Sequence, residues 1–343
     1  MSELVKVGTP ASHPLAMVLD KDIPFYGKLG KVGDFEAKLR AAAEKAALVL
    51  AEEGVNELIA EHVQTNISAS SEGEGGFLSE VESRAARPAL LIRQGTTNLP
   101  TMPQDTPLGK LFSTAGVIIP SPVRVRLLYA YDMHLRYPPM GEGSRAPVCK
   151  SPDGKLGSPG GWCQTCPQLP FGKQRGGQGE QVQTECSQLV NFVMITEDMK
   201  YVFDVPMSRT SLKTAKVVTT LAKATGRVES LVKRVFILDT ESKTNQANQR
   251  YFQYKVAVDD KGPVLSDADL RALVALSELL QAQNQALLAK FYASVRDGQT
   301  VAHKAEEAFD PRLAMGNLDG GGVEPSFGSG GSAPDSRGGS SPM

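Results

Sequence analysis

Long apolar runs are missing from this 343-residue chain. No window approaches the ~20 apolar residues of a membrane-spanning helix, and no positively charged start leads into a signal-peptide core. The expectation is a soluble, cytoplasmic protein. Catalytic signatures are missing as well. There is no G-x-x-x-x-G-K-S/T phosphate loop, no G-x-S-x-G nucleophile elbow and no His-Glu-x-x-His pair. The four histidines, His13, His62, His134 and His303, are scattered, so an enzyme has nothing local to rest on. Tryptophan occurs once, as Trp162, and cysteine four times.

The four cysteines are the most informative residues present. Cys149, Cys163, Cys166 and Cys186 fall in one Gly/Pro-rich stretch, spaced C-x13-C-x2-C-x19-C. A two-residue spacer lets one turn aim two thiolates at a single tetrahedral ion, so the set reads as a zinc site. Four soft ligands leave no open position, which makes the Zn2+ structural. Two disulfides are the alternative in an oxidising compartment, and a redox pair at Cys163 and Cys166 is a third reading. His134 is an alternative ligand, or an ordinary half-buried histidine.

A net charge of -1 hides an uneven distribution. Acids outnumber bases over residues 33–82, and bases outnumber acids over 124–255. An anionic partner belongs in the middle of the chain.

Five regions follow from composition and periodicity. Residues 1–33, broken by prolines and glycines, form an arm. Residues 34–76 hold an amphipathic helix over 35–62, capped by Asp34 and interrupted at Gly54, then a linker. Residues 77–262 form a β domain, with strands expected at 88–93, 116–119, 123–131, 189–195, 200–205, 228–239 and 250–258, a proline-pinned loop at 98–108 and a helix over 208–224. Alternation puts Val123, Val125, Leu127, Tyr129 and Tyr131 on one face, and Arg124, Arg126 and Leu128 on the other. Residues 263–315 carry a helix capped by Ser266. Residues 316–343 are a disordered Gly/Ser-rich tail.

The fold class expected is α+β with a mainly β core. A helix inserted among antiparallel strands fits an oligonucleotide/oligosaccharide-binding (OB) barrel carrying the four-cysteine zinc-binding insertion, and a generic α+β sheet remains open. In the last helix Leu270, Leu273, Leu280, Leu287 and Phe291, with Ser277 and Asn284 in register, resemble a short coiled-coil seam. The seam fits a homodimer through 266–296, or a helix lying on its own domain.

Binding of single strands needs a cationic groove and aromatic platforms, each stacked base contributing ~1–3 kcal/mol. Arg124 and Arg126 share a strand face. Trp162, Phe171, Lys173 and Arg175 surround the cysteine pair, and Arg250, Tyr251 and Phe252 crowd one late strand. Lys213, with Lys216 and Lys223, gives a basic helix edge. The run 173–179 either follows phosphates through its amides or is a loop tip. Each aromatic has an ordinary reading as core, and each lysine as a solvated edge. Asp132, Asp204 and Asp239 are the residues a metal-dependent nuclease would use.

The segments Cys149-Lys-Ser-Pro-Asp-Gly154, Gly160-Gly-Trp-Cys-Gln-Thr-Cys-Pro167, Cys186 and Pro206-Met-Ser-Arg-Thr-Ser-Leu-Lys213 resemble a family of phage and mobile-element zinc-knuckle proteins, single-stranded DNA-binding and replication-associated. The resemblance spans roughly 88–258. It implies a β-rich core around the cysteine knuckle, a role in phage-type DNA replication or recombination, and residence in the host cytoplasm. Residues 328–343, with only Asp335 against Arg337, lack the acidic tail with which many such proteins recruit partners.

The function expected is single-stranded DNA binding without strong sequence preference, with RNA left open as a ligand. A protein-interaction factor acting through its helices and a metal-dependent nuclease are the alternatives.

Overall fold

A computed structural model describes residues 32–71, 87–136 except 96 and 98, 147–158, 161–163, 166, 186–225, 227–245 and 248–296. The arm, the linker beyond 71 and the tail lie outside them. The fold is α+β, with five helices among the described residues and mostly antiparallel sheets.

Two helices open it, α1 (Val32–Leu50) and α2 (Glu57–Ser71). The break expected at Gly54 is real: Gly54 adopts φ +85°. Asn56 then caps α2, its side-chain oxygen accepting from the Leu58 N–H at 2.9 Å.

Strands β1 (Leu90–Ile92), β2 (Leu111–Ser113) and β3 (Val117–Ile119) form a small antiparallel sheet. The main sheet is built on β4 (Val123–Arg136) and β8 (Cys186–Thr196), joined by β9 (Val202–Ser208), β10 (Val235–Thr244) and β11 (Arg250–Asp259). Its order is β11-β10-β4-β8-β9, so the five strands counted along the chain lie fifth, fourth, first, second, third. Short β5 (Cys149–Ser151) pairs with the far end of β4, and β6 (Leu156–Gly157) with β7 (Gly161–Trp162) makes a hairpin.

Between the third and fourth of those strands come a 3-10 turn (Arg209–Ser211), α3 (Leu212–Thr225) and α4 (Val228–Lys233). The strand expected at 228–239 therefore begins only at Val235. Its first residues wind into a turn of helix that buries Val232 and pairs Glu229 with Lys233 at 2.6 Å. The chain closes with α5 (Asp267–Arg296), capped where expected: the Asp269 N–H donates to Ser266 Oγ at 3.0 Å.

One irregularity in β4 sets both faces of the sheet. Leu127 pairs with Met194 but Tyr129 with Val193, leaving Leu128 as an extra residue. Such a bulge reverses the facing of everything beyond it. Val125, Leu127 and then Ala130 join the core between the strands, with Phe192, Met194, Phe203, Phe236 and Leu238. Tyr129 and Tyr131 turn instead to the helical side, correcting the single face expected for Val123 to Tyr131. There they join Leu128, Val193 and Ile195 under Leu39, Ile59, Val63, Leu273 and Leu276 of the helices. Buried on both sides, β8 reads as a nearly continuous apolar run.

The coiled-coil stripe of α5 is thereby used within the chain. Ser277 Oγ donates to the Leu128 carbonyl at 2.5 Å and Asn284 Nδ2 to the Tyr129 hydroxyl at 2.9 Å. The helix lies on its own domain along this face.

Segment 88–94 touches both edges of the main sheet. Ala89 bridges Asp204 of β9 in parallel, and the Asp204 N–H donates to the Pro88 carbonyl at 3.1 Å. On the other side, the buried Tyr254 hydroxyl of β11 donates to the Leu90 carbonyl at 2.6 Å.

Candidate metal centre and nucleic-acid interface

Cys149 on β5 and Cys186 on β8 are both register partners of Arg136, so the two cysteines flank that arginine in one row of the sheet. The β6–β7 hairpin is tied to β5 by the Lys150–Ser158 bridge and delivers the other pair. The Cys163 N–H donates to the Lys155 carbonyl at 2.7 Å, and the Cys166 N–H to the Cys163 carbonyl at 3.2 Å, closing the two-residue turn.

Cys163 and Cys186 each lie within electrostatic reach of the other three thiols. Burial pushes the Cys186 thiol up to about 12, with Cys163, Cys149 and Cys166 adding to it and Arg136 opposing. Burial likewise pushes Cys163 up to about 11, eased by a hydrogen bond from Ser151 and raised further by Cys149, Cys166 and Asp153. None of the four is in a disulfide. Among the described residues, no group of three or more His, Cys, Asp or Glu is set closely enough to hold an ion. The four sulfurs share one locality at the end of the sheet without closing into such a group.

His134 occupies the next row on the same face, opposite Ser151 and Gln188. It is 8% exposed, and its Nδ1 has no hydrogen-bond partner. Burial lowers its pKa against the pull of Asp132 and Asp153. Its ring packs on the turn at Gly154, where a Cβ would come within 3.2 Å of Nε2.

Helix α5 braces this module. Leu156, Trp162, Leu288, Phe291, Tyr292 and Val295 form one apolar cluster, and the Tyr292 hydroxyl donates to Asp153. Trp162 is half-buried there, so it is a packing residue before it is a platform.

The expected nucleic-acid residues separate into distinct places. Phe171, Lys173 and Arg175 lie outside the described residues. Arg126 is a correction: it is 1% exposed, and donates to the Val232, Lys233 and Pro263 carbonyls at 3.2, 2.7 and 2.6 Å. It faces α4 because the outer surface of β4 is covered at that row, and it serves the helix C-terminus. Its neighbour Arg124 has a half-exposed side chain beside Asp259 at 3.1 Å and Glu197 at 3.6 Å. Lys213 and Lys216 are exposed on α3; the Lys223 side chain is outside the described set.

Arg250, Tyr251 and Phe252 sit on the ribbon of β10 and β11, which continues past the start of β4: β10 leaves β4 at Leu238 and stays paired with β11 to Thr244. The cysteine row is at the opposite end of β4, about 13 residues or ~43 Å of extended strand away. Arg250 lies over the Phe252 ring, 5.1 Å from its centroid, while Tyr251 is on the other face of the ribbon beside Lys243. Phe252 is clamped: its ring rests on Gly109, and the Gln94 amide holds its backbone.

The nuclease triad does not assemble. Asp132 pairs in register with Val190 and Asp204 with Val193, adjacent-parity positions that face opposite sides past the bulge. Asp204 is committed to Arg87 at 3.2 Å.

Sequence reading missed Gln94, which acquires its role only through contact with the ribbon. No helix among the described residues is long and apolar enough to cross a membrane. Compared with protein families, curated proteins and solved structures, the chain matches none of them.

Proposed function

We propose that this protein binds single-stranded DNA without strong sequence preference, on an OB-type barrel stapled by a zinc-loaded four-cysteine module. The observation that carries the reading is the strand order: fifth, fourth, first, second, third, with a helix between third and fourth. A Greek-key OB barrel would use the same order, and the contacts of segment 88–94 with β9 and β11 support that reading.

Such barrels take up oligonucleotides with the loops between first and second and between fourth and fifth strands. Here the first of those loops carries Cys149, Cys163, Cys166 and Trp162, and the second is bordered by Lys243, Arg250 and Tyr251. The outer face of the second and third strands lies under the helices, so the loops and the ribbon carry the contact. The resemblance to zinc-knuckle single-strand binders agrees with this reading.

Cys149, Cys163, Cys166 and Cys186 would hold the zinc, which supplies a closed structural crosslink between β5, β8 and the hairpin. Tyr292 and Asp153 then fix that hairpin, and with it Trp162, against α5.

The test titrates the protein with oligo-thymidine at several salt concentrations and follows Trp162 fluorescence, with duplex DNA and RNA as comparators. Saturable quenching by the single strand that weakens as salt rises is the expected result. No response together with no mobility shift would end the reading and leave the protein-interaction alternative.

A further inference from the structure

Strands β10 and β11 bury one face and leave the other open. Phe236, Leu238, Phe252, Tyr254, Val256 and Val258, all on one side of the pleat, go into the core. The residues between them point the other way. On that side the helical cluster that covers β4, β8 and β9 takes no residue from either strand among those described. Beyond Leu238 the ribbon has also left β4, so the open face there belongs to these two strands alone.

Tyr251 lies on the open face, directly opposite Lys243, where the Cβ atoms of such a pair are about 4.5–5.5 Å apart. The next row is Glu241 and Gln253, and its acid is already met. Gln253 Nε2 donates to Glu241 Oε1 at 2.5 Å, and Lys243 Nζ lies 3.1 Å from Glu241 Oε2. Tyr251 is partly exposed, and no described ring or cation stacks on it.

The other described aromatic candidates are committed elsewhere. Trp162 packs against α5, and Phe252 rests on Gly109 under Arg250, on the opposite side of the ribbon. Over residues 240–255 three bases, Lys243, Arg250 and Lys255, stand against one acid, Glu241. An anionic chain is therefore the occupant this surface suits.

We propose that the single strand lies on the open face of the β10–β11 ribbon, with Tyr251 stacking on a base and Lys243 meeting the neighbouring phosphate. The proposal rests on the single-strand reading and assigns it a surface, one platform and a contact at Lys243 that the sequence did not suggest. Helices cover the outer face of the second and third strands, so the ribbon offers the sheet surface that a strand can reach. Every base has a π-face, so a lone tyrosine platform binds without reading sequence.

The experiment measures, by fluorescence anisotropy, the binding of two labelled oligomers of equal length: oligo-thymidine and an abasic deoxyribose-phosphate chain. Tyr251→Ala should lose about 5- to 150-fold in affinity for oligo-thymidine and nothing for the abasic chain. Tyr251→Phe keeps the ring and should bind both as wild type does. Lys243→Gln should lower the log–log salt slope by about 0.7 with both oligomers.

Unchanged oligo-thymidine affinity in Tyr251→Ala overturns the platform while leaving single-strand binding intact. So does an equal loss on the abasic chain, or a Tyr251→Phe variant as weak as Tyr251→Ala. An unchanged slope in Lys243→Gln overturns the phosphate contact. A wild type that binds neither oligomer overturns the single-strand reading itself, and this surface with it.

Discussion

The side-chain amide of Gln94 pairs with the backbone of Phe252 as a neighbouring strand would: Nε2 donates to the Phe252 carbonyl at 2.7 Å and Oε1 accepts its N–H at 2.9 Å. One residue just beyond β1 thereby satisfies the outward edge of β11 at Phe252. Ser211 and Thr214 do the same at Tyr254, its N–H donating to Ser211 Oγ and its carbonyl accepting from Thr214 Oγ1. An edge strand closed by side chains is no template for other strands.

Replacing Gln94 with Ala strips both partners from Phe252. The expected loss is about 1–3 kcal/mol, measured by denaturant unfolding. Gln94→Glu should not restore it, because a carboxylate cannot donate to the Phe252 carbonyl. Wild-type stability in either variant would show that the clamp is incidental.

Arg124 and Arg126 lie two residues apart on β4, and they should behave as opposites. Arg126→Leu orphans the three carbonyls of Val232, Lys233 and Pro263 and should cost about 3 kcal/mol or more. Arg124→Gln breaks only half-exposed ion pairs and should cost under about 1 kcal/mol. Thermal unfolding of the two variants decides it, and equal losses would contradict the burial difference.

The proposed zinc site should respond to acid. Burial holds Cys163 and Cys186 as neutral thiols, pushed up to about 11 and about 12. Ligation needs thiolates, so each ion bound expels protons and apparent affinity should fall as pH falls. In metal-free protein the sign is separate: these raised values favour the fold below the ordinary thiol pKa of about 8.5, a gain lost as pH climbs through the folded values. Metal analysis of purified wild type and Cys163→Ser is the check. A wild type without zinc, and a variant that unfolds where it does, would sink the assignment.

His134 should make the fold acid-sensitive. Burial lowers its pKa, with Asp132 and Asp153 pulling upward. The unfolded chain gains a proton near the ordinary histidine value of about 6.5, which the folded chain takes up only at lower pH. Stability present above that value is therefore lost as pH falls below it. Unfolding midpoints followed downward from neutral pH should drop less in His134→Gln than in wild type; parallel curves would exclude His134 as the source.

Much of this was legible in the residues. Proline and glycine punctuation, strand alternation and the Ser266 cap located most elements because those signals act within a few residues. The four cysteines announced their grouping in the same way, and α5 was readable from its apolar period. Other features depended on partners far along the chain. A single extra residue, Leu128, moved Tyr129 and Tyr131 across the sheet, and no local pattern marks which residue a strand will bulge out. Arg126 reads like Arg124 until α4 and Pro263 bring carbonyls to it.

The sequence by itself determined the class of the elements, the apolar stripes and the donor set of the cysteine module, because these follow from side-chain chemistry and short-range periodicity. Tertiary structure alone decided which cations stay in water, which aromatics face the core, and that Phe252 of the ribbon docks on Gly109. Those outcomes turn on strand register and on which surfaces the helices cover, and both are set by contacts between residues more than a hundred positions apart.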